Sequence, residues 1–357
     1  MTREAFEQEI LQRLKAQSTR TPSMQQEDAV KFVFQGMLGV GHLLSGREEA
    51  ARSVAHEMDG LTADPAEPMI EDLSPAWCRL NLRGAMSACI GPRIIAGLML
   101  ESGCDIHFTR RDVYDCCKRI AQSGENLLKD DTALDMILDE QWLPSHSAAY
   151  REKNRPAYRV ISTDWIPCMK AVRAIAEKET CSGRLLITLD GPCASGKTRL
   201  AEKLARVFRG EVVHTDDFVV PHALKTPERL AVPGGNCDAE RLAEEIVIPF
   251  KTGLPVKYRR YNCMEDRLMP EERLPDSRIL ILEGCYCNLP AVRAYADVRL
   301  FLDTAPEIRT ARLLARESTA SMQQFRDRWI PLENAYFKAY GLPDDNAVRI
   351  DGGTVVC

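Results

Sequence analysis

The feature that most constrains this 357-residue chain is an apolar run followed by a glycine-rich loop and a helix pattern. Residues 185–189 read Leu-Leu-Ile-Thr-Leu, and residues 191–198 read Gly-Pro-Cys-Ala-Ser-Gly-Lys-Thr. This spacing matches GxxxxGKT between a strand and a helix, where backbone N–H groups curl around phosphate oxygens. A glycine-rich turn before an ordinary helix is the alternative. The sequence predicts a phosphate-binding loop (P-loop).

Each residue type in this loop has a predicted task. Gly191 and Gly196 allow the backbone to curl, and the following helix adds its positive N-terminal end. Lys197 is predicted to reach the β- and γ-phosphates, and the Thr198 hydroxyl to ligate Mg²⁺. The predicted nucleotide contacts are Gly191, Ala194, Ser195, Gly196, Lys197, Thr198 and Arg199.

Composition and charge exclude several classes of protein. The formal net charge is −5, which gives no electrostatic reason to expect a nucleic-acid partner. No apolar run approaches the length of a membrane span, and the N-terminal residues contain acids and no apolar segment of a signal peptide. The 13 cysteines are odd in number and scattered, which favours reduced thiols. We therefore expect a cytoplasmic protein without a membrane partner.

The two halves of the chain have different patterns. Strand-like segments at 185–189, 211–214, 278–282, 298–302 and 348–350 alternate with helix-like ones, which predicts an α/β fold of the P-loop NTPase type, a parallel sheet with helices on both faces. Residues 1–165 have mainly helical spacing. We predict a mainly helical domain over 1–165, a connecting helix over 166–181 and a P-loop domain over 182–357.

Acids follow the predicted strands, where ligands of parallel sheets bind. Asp216 can accept the proton of an attacking hydroxyl or hold Mg²⁺, whereas for Asp217 a turn cap is an equal alternative. Glu283 closes an apolar strand, and an acid there can hold the water shell of a metal. The carboxyl edge of the sheet is thus the predicted catalytic centre.

Basic and polar segments surround this edge in the sequence. Arg309, Arg312 and Arg316 share one helix face and can form a lid over phosphates, or simply a solvated basic face. The loops at 233–238 and 258–263 carry Asp, Asn, Tyr and Arg side chains that suit an acceptor pocket. Plain surface loops are the alternative.

Taken together, these segments resemble the uridine kinase-like branch of P-loop kinases, which is related to phosphoribulokinase and bacterial pantothenate kinase. The resemblance covers about 184–351. It rests on Asp-Gly-Pro-Cys-Ala-Ser-Gly-Lys-Thr at 190–198, Thr-Asp-Asp-Phe at 215–218, Pro-Gly-Gly-Asn-Cys-Asp at 233–238, Tyr-Arg-Arg-Tyr-Asn at 258–262, Leu-Glu-Gly-Cys-Tyr at 282–286, Phe-Leu-Asp-Thr at 301–304 and Arg-Trp-Ile-Pro-Leu-Glu-Asn-Ala-Tyr-Phe at 328–337.

The resemblance implies an ATP-dependent enzyme that phosphorylates a hydroxyl of a small metabolite, with a nucleoside such as uridine as the first candidate. It implies Asp216 as the base, Lys197, Arg312 and Arg316 as further catalytic residues, Thr198, Asp216 and Glu283 around Mg²⁺, and Asp238, Arg260 and Tyr261 at the acceptor. The short 234–238 segment replaces a longer acidic-aromatic segment of well-studied uridine kinases, and this departure concerns the nucleoside and not the phosphoryl transfer. A nucleotide-dependent switch whose helical domain binds a partner is the alternative.

Two stretches of the N-terminal half are unusual. Residues 77–83, Trp-Cys-Arg-Leu-Asn-Leu-Arg, alternate large and polar side chains. Residues 144–151 and 155–159 bring His146, Tyr150, Arg151, Tyr158 and Arg159 close together in sequence. An ordinary surface, with His146 as a capping or core residue, is the favoured interpretation, and a second anion or substrate site is the alternative.

Overall fold

The computed structural model describes residues 1–40, 46–103, 106–181 and 183–353. The chain divides into two compact units, Met1–Ile166 and Pro167–Cys357. Among the described residues, no helix combines the length and the apolarity needed to cross a membrane.

The first unit is mainly helical, as predicted, and also contains a small antiparallel sheet. The strand order is β1-β2-β3. A 3₁₀ segment lies at Thr132–Leu138, and another at Thr163–Cys168. The elements are α1 Arg3–Arg20, α2 Gln26–Leu38, α3 Arg47–Met58, β1 Ile70–Asp72, β2 Trp77–Asn81, α4 Leu82–Ser87, α5 Pro92–Leu100, α6 Arg110–Gln122, α7 Ala148–Asn154 and β3 Tyr158–Ser162.

Helix α2 buries an apolar face inside the first unit. Six of its apolar side chains are buried: Ala29, Val30, Phe32, Val33, Phe34 and Met37. Asp28 in its first turn accepts a hydrogen bond from the Gln25 backbone N–H at 3.0 Å, which closes a capping box. This cap places a carboxylate, 1 % exposed, inside the unit.

The second unit contains the predicted alternation of strands and helices. Two π-helical segments, Leu242–Val247 and Phe325–Trp329, join α11 to α12 and α15 to α16. Its elements are α8 Met169–Glu179, β4 Leu185–Asp190, α9 Lys197–Phe208, β5 Glu211–His214, α10 Pro227–Ala231, α11 Ala239–Arg241, α12 Ile248–Thr252, β6 Lys257–Tyr258, β7 Tyr261–Asn262, β8 Arg267–Leu268, β9 Glu272–Arg273, β10 Ile279–Glu283, α13 Pro290–Arg293, β11 Val298–Asp303, α14 Pro306–Arg316, α15 Thr319–Gln324, α16 Ile330–Tyr340 and β12 Val348–Asp351.

The five predicted strands form one parallel sheet with the order β12-β11-β4-β10-β5. Strand β4 pairs on both edges, and all six of its residues are buried, which explains why its sequence is almost continuously apolar. The predicted P-loop NTPase-type fold is confirmed. The carboxyl ends of β4, β10 and β5 are neighbours, so Asp190, Glu283 and His214 end at the same edge of the sheet.

Candidate active site

The P-loop leaves β4 in a sharp curl that only glycine permits at its first position. Gly191 has φ +145°, and a Cβ there would lie 2.4 Å from the Leu302 carbonyl oxygen. Ala194 and Gly196 also have positive φ values, 57° and 101°. The buried Asp190 carboxylate accepts the Gly191 N–H at 2.7 Å and so fixes the start of the loop.

The loop leads into a helix whose N-terminal donors remain available. Helix α9 begins at Lys197, and its Gly196 cap supplies no side-chain hydrogen bond, so its first N–H groups have no partner inside the helix. The fully buried Ser195 hydroxyl has no hydrogen-bond partner either. A ring of unmet donors at a helix N-terminus fits a polyphosphate.

Lys197 is held inside the loop that it serves. Its ammonium donates to the Pro192 carbonyl oxygen at 2.9 Å. Burial acts to lower the pKa of Lys197, but the surrounding acidic groups, Cys285, Glu333 and Glu283 foremost, raise it above its usual value. Lys197 is therefore a fixed positive charge at the base of the loop.

Glu283 at the end of β10 connects the loop to the neighbouring strand. Its carboxylate accepts the Thr198 hydroxyl at 3.0 Å and lies 2.5 Å from Nδ1 of His214. The hydrogen bond from Glu283 raises the pKa of His214, which favours the imidazolium beside the carboxylate. Parallel pairing brings this about because Glu283 and His214 are register partners in β10 and β5.

Asp216 follows β5 in the 3₁₀ turn Thr215–Phe218. Burial of the carboxyl group and the nearby Glu283 raise the pKa of Asp216, while Lys197, His214 and Arg316 act to lower it. A carboxylate with a raised pKa is a better proton acceptor than an exposed one. Asp217, the next residue, does not line the cavity that Asp216 faces.

One cavity of about 690 Å³ joins most of these groups. Its wall contains predicted residues from the loop, from both acidic strand ends and from the arginine helix. They are Ala194, Gly196, Lys197, Thr198, Arg199, Asp216, Glu283, Arg312 and Arg316. The remaining loop residues, Gly191 and Ser195, contribute backbone to the curl and do not line the cavity.

The side-chain oxygens of the cavity suit Mg²⁺ only if a bound nucleotide supplies further ligands. In the ranges that the structure describes, no group of three or more His, Cys, Asp or Glu side chains could hold a metal ion. Thr198, Asp216 and Glu283 all line the cavity, and they offer a hydroxyl and two carboxylates. Mg²⁺ commonly takes one or two carboxylates and completes its shell with water and phosphate oxygens.

The three arginines of α14 have different surroundings and different hydrogen-bond partners. Arg312 donates to the carbonyl oxygens of Ala194 at 3.2 Å and Ser195 at 2.9 Å, so it supports the P-loop backbone. Arg309 donates to the Thr304 carbonyl oxygen at 3.0 Å and does not line the cavity. Arg316 is exposed, pairs with Glu317 and lines the cavity.

The three predicted acceptor residues lie outside the cavity wall. Asp238 caps α11 by accepting the Arg241 N–H at 3.2 Å, the buried Tyr261 hydroxyl donates to Asp266, and the exposed Arg260 pairs with Glu272. Other polar groups line the cavity instead: His222, Lys225, Asn236, Cys263 and Arg328.

Residues 235–324 match the model of the phosphoribulokinase/uridine kinase family. Over these residues the chain resembles that family. The match supports a P-loop kinase, so we call Pro167–Cys357 the kinase unit. No curated protein matches the chain.

Two solved structures are among those similar to this chain. A possible uridine kinase from Bacillus stearothermophilus is 23% identical, with a TM-score of 0.40, over 51% of this chain and 98% of its own. A protein from Silicibacter sp., provisionally described as a fructose transport system kinase, is 25% identical, with a TM-score of 0.41, over 52% of this chain and 98% of its own.

Two residues of the kinase unit that support the site were not predicted. His214 lies within hydrogen-bond distance of Glu283. The pairing of the neighbouring strand ends, β10 with β5, could have indicated this contact from the sequence. Glu333 in α16, 7 % exposed, accepts the Cys193 N–H of the P-loop at 2.9 Å and lines the cavity. Cys193 and Glu333 are 140 positions apart in the sequence, so no local sequence pattern indicates this contact.

Proposed function

We propose that the kinase unit transfers the γ-phosphoryl group of ATP to a hydroxyl of a small metabolite. The observation that carries this proposal is the single cavity that contains Lys197 and Thr198 of the P-loop together with the Asp216 carboxylate. A phosphate-binding loop and a proton acceptor facing one space are the two parts that phosphoryl transfer to an alcohol requires.

In the proposed reaction, the hydroxyl oxygen of the acceptor forms a bond to the γ-phosphorus while the bond to the bridging oxygen breaks and ADP leaves. Asp216 takes the hydroxyl proton. Lys197 and the P-loop N–H groups hold the phosphates, and Arg316 neutralises charge that develops on the transferred group. Thr198, Asp216 and Glu283 would hold Mg²⁺, which supplies further charge neutralisation at the β- and γ-phosphates.

A nucleoside is the acceptor that the sequence resemblance implies, and one observation supports it in part. The Asn236 side-chain oxygen is buried in the cavity wall without a hydrogen-bond partner, so it is ready to accept from a hydroxyl or amide of the acceptor.

A second acceptor class, an alcohol that carries an anionic group, is favoured by two cations. Lys225 and Arg328 line the same cavity and form no ion pair within the described part of the chain. Each rests on an aromatic ring, Lys225 at 5.9 Å from Tyr261 and Arg328 at 4.8 Å from Trp329. A neutral nucleoside would leave both charges unmatched, whereas a sugar phosphate would not.

The proposal is tested by ADP release from ATP with and without uridine, other nucleosides, pantothenate and sugar phosphates. We expect release that depends on an acceptor. Hydrolysis without an acceptor, or tight ATP binding without turnover, would favour the switch and contradict the kinase.

Two substitutions assign the roles. We expect Asp216→Asn to lower kcat by about 10²–10⁴-fold with nearly unchanged ATP affinity, because a general base is lost. Lys197→Ala should abolish ATP binding as measured by titration calorimetry. Asp217→Asn is the matched control, since Asp217 lies beside Asp216 but outside the cavity wall. Equal activity of the Asp216 variant and this control would remove Asp216 as the base.

A further inference from the structure

The first unit contains a cavity of its own, of about 360 Å³. This volume is within the range of small-molecule sites. Its wall combines the charged side chains of Lys31, Glu49, Glu57 and Arg159 with polar and apolar ones.

A chain of buried hydrogen bonds fixes one side of this cavity. Asp28 Oδ1 lies 2.8 Å from Nδ1 of His146, and Nε2 of His146 lies 2.8 Å from the Tyr158 hydroxyl. The hydroxyl in turn lies 3.0 Å from the Gln35 side-chain oxygen. Side chains that are linked in this way are held in one rotamer, which is the arrangement of a preorganised site.

Asp28 has no capacity left for a further cation. It also accepts the Ser147 N–H at 3.0 Å and the Ser147 hydroxyl at 2.7 Å. Burial lowers the pKa of His146 to about 4, so the imidazole is neutral and donates its Nδ1 proton to Asp28. The negative charge of Asp28 is thus shared among fixed donors.

Two cations beside the Tyr158 ring have no such partner. The Lys31 ammonium lies 6.0 Å from the ring centroid, and the Arg79 guanidinium lies 4.5 Å from the same centroid and 5.2 Å from that of Phe32. Arg79 is only 3 % exposed, and its Nε has no hydrogen-bond partner. Among the residues described, neither cation forms an ion pair; Arg159, by contrast, pairs with Glu57.

The placement of two cations without an ion-pair partner beside one ring has an energetic consequence. Removing a cation from water costs several kcal/mol, and a cation–π contact returns only about 2 kcal/mol. Two cations that share one ring also repel each other. Burial, foremost, and the positive charge of Arg79 lower the pKa of Lys31 to about 8, although the carboxylates of Asp28 and Glu57 act to raise it. A bound anion would remove both penalties.

We propose that the cavity of the first unit binds a small organic anion, a carboxylate or a phosphate ester, whose charge lies beside Lys31 and in the field of Arg79. Gln35 and Ser53 offer hydrogen bonds to its polar atoms, and Val40, Ala50 and Met99 contact its carbon skeleton. The unusual stretch around His146 and Tyr158 is then part of a second ligand site. This site is independent of the proposed kinase activity.

The test is titration calorimetry of the full chain carrying Lys197→Ala, so that the P-loop does not contribute, with inorganic phosphate, succinate and ribose 5-phosphate in chloride buffer. We expect at least one of these anions to bind, and Lys31→Met to weaken that binding at least tenfold. Lys153→Met, a change of an exposed lysine in the same unit, is the control and should leave it unchanged. Preference for succinate or for the phosphates distinguishes the two anion classes.

A second measurement needs no substitution at Lys31. Trace acylation of the chain, read by mass spectrometry, reports the reactivity of each lysine, and a saturating anion should protect Lys31 at least fivefold while Lys153 stays unchanged. The proposal is overturned if none of the three anions binds, if binding is equal in the Lys31→Met and Lys153→Met chains, or if the anion leaves the reactivity of Lys31 unaltered.

Discussion

At the residue scale, His146 makes the stability of the first unit depend on pH. Burial, together with the positive charges of Lys31 and Arg79, lowers its pKa to about 4, against 6.5 in the unfolded chain. Between these values the unfolded chain binds more protons, so this contribution is complete above pH 6.5 and is lost as the pH falls toward 4. The difference corresponds to at most about 3 kcal/mol.

We therefore expect the first unit to open more readily at pH 5 than at pH 7.5, and His146→Gln to reduce that difference. Amide hydrogen exchange of peptides from α2 measures the opening of the first unit at each pH without interference from the kinase unit. His56→Gln, which alters an exposed histidine, should leave the pH dependence as in the unaltered chain. If His146→Gln and His56→Gln behave alike, His146 does not carry the effect.

At the element scale, helix α16 ties the P-loop strand to the rest of the kinase unit. The buried Tyr336 hydroxyl donates to Asp190 Oδ2 at 2.7 Å and accepts the Asn288 N–H at 3.1 Å. Asn288 also donates to Asp190, at 3.2 Å, and accepts the Thr188 hydroxyl at 2.9 Å. One side chain of α16 thus fixes the carboxylate that holds the start of the loop.

Tyr336→Phe should lower the free energy of unfolding of the kinase unit by about 1–3 kcal/mol, because a buried carboxylate and a buried N–H each lose a partner. It should also weaken ATP binding, since Asp190 orients Gly191. Tyr340→Phe is the matched control one helical turn away, where a half-buried hydroxyl donates to the Pro233 carbonyl oxygen at 3.3 Å. Urea unfolding measures the loss of unfolding free energy in the two variants. An equal loss in both would contradict the proposed role of Tyr336.

The elements differ in how far the sequence predicted them. The parallel strands were predicted because a strand buried on both faces, such as β4, is almost continuously apolar. The small sheet of the first unit was missed: its strands are short, and β2 contains Arg79, a buried cation that breaks any apolar pattern. Glu333 and Tyr336 were quoted only as part of a motif, because their partners lie in distant segments. Their contacts exist only after folding.

At the scale of the whole molecule, the groups of each candidate site come from one unit alone. Lys197, Asp216, Glu283 and Glu333 all belong to Pro167–Cys357, as do the strands and helices that hold them. Asp28, Lys31, Arg79, His146 and Tyr158 all belong to Met1–Ile166. Each unit also buries its own apolar side chains, which is the usual condition for independent folding.

We therefore expect residues 167–357, produced alone, to fold and to bind ATP in the presence of Mg²⁺ within about threefold of the full chain. The physical reason is that the P-loop, its supporting residues Asp190, Asn288 and Tyr336, and the acids at the sheet edge all belong to residues 167–357. Titration calorimetry with ATP measures this, and the same fragment with Lys197→Ala is the control. A folded fragment without ATP affinity would contradict this prediction.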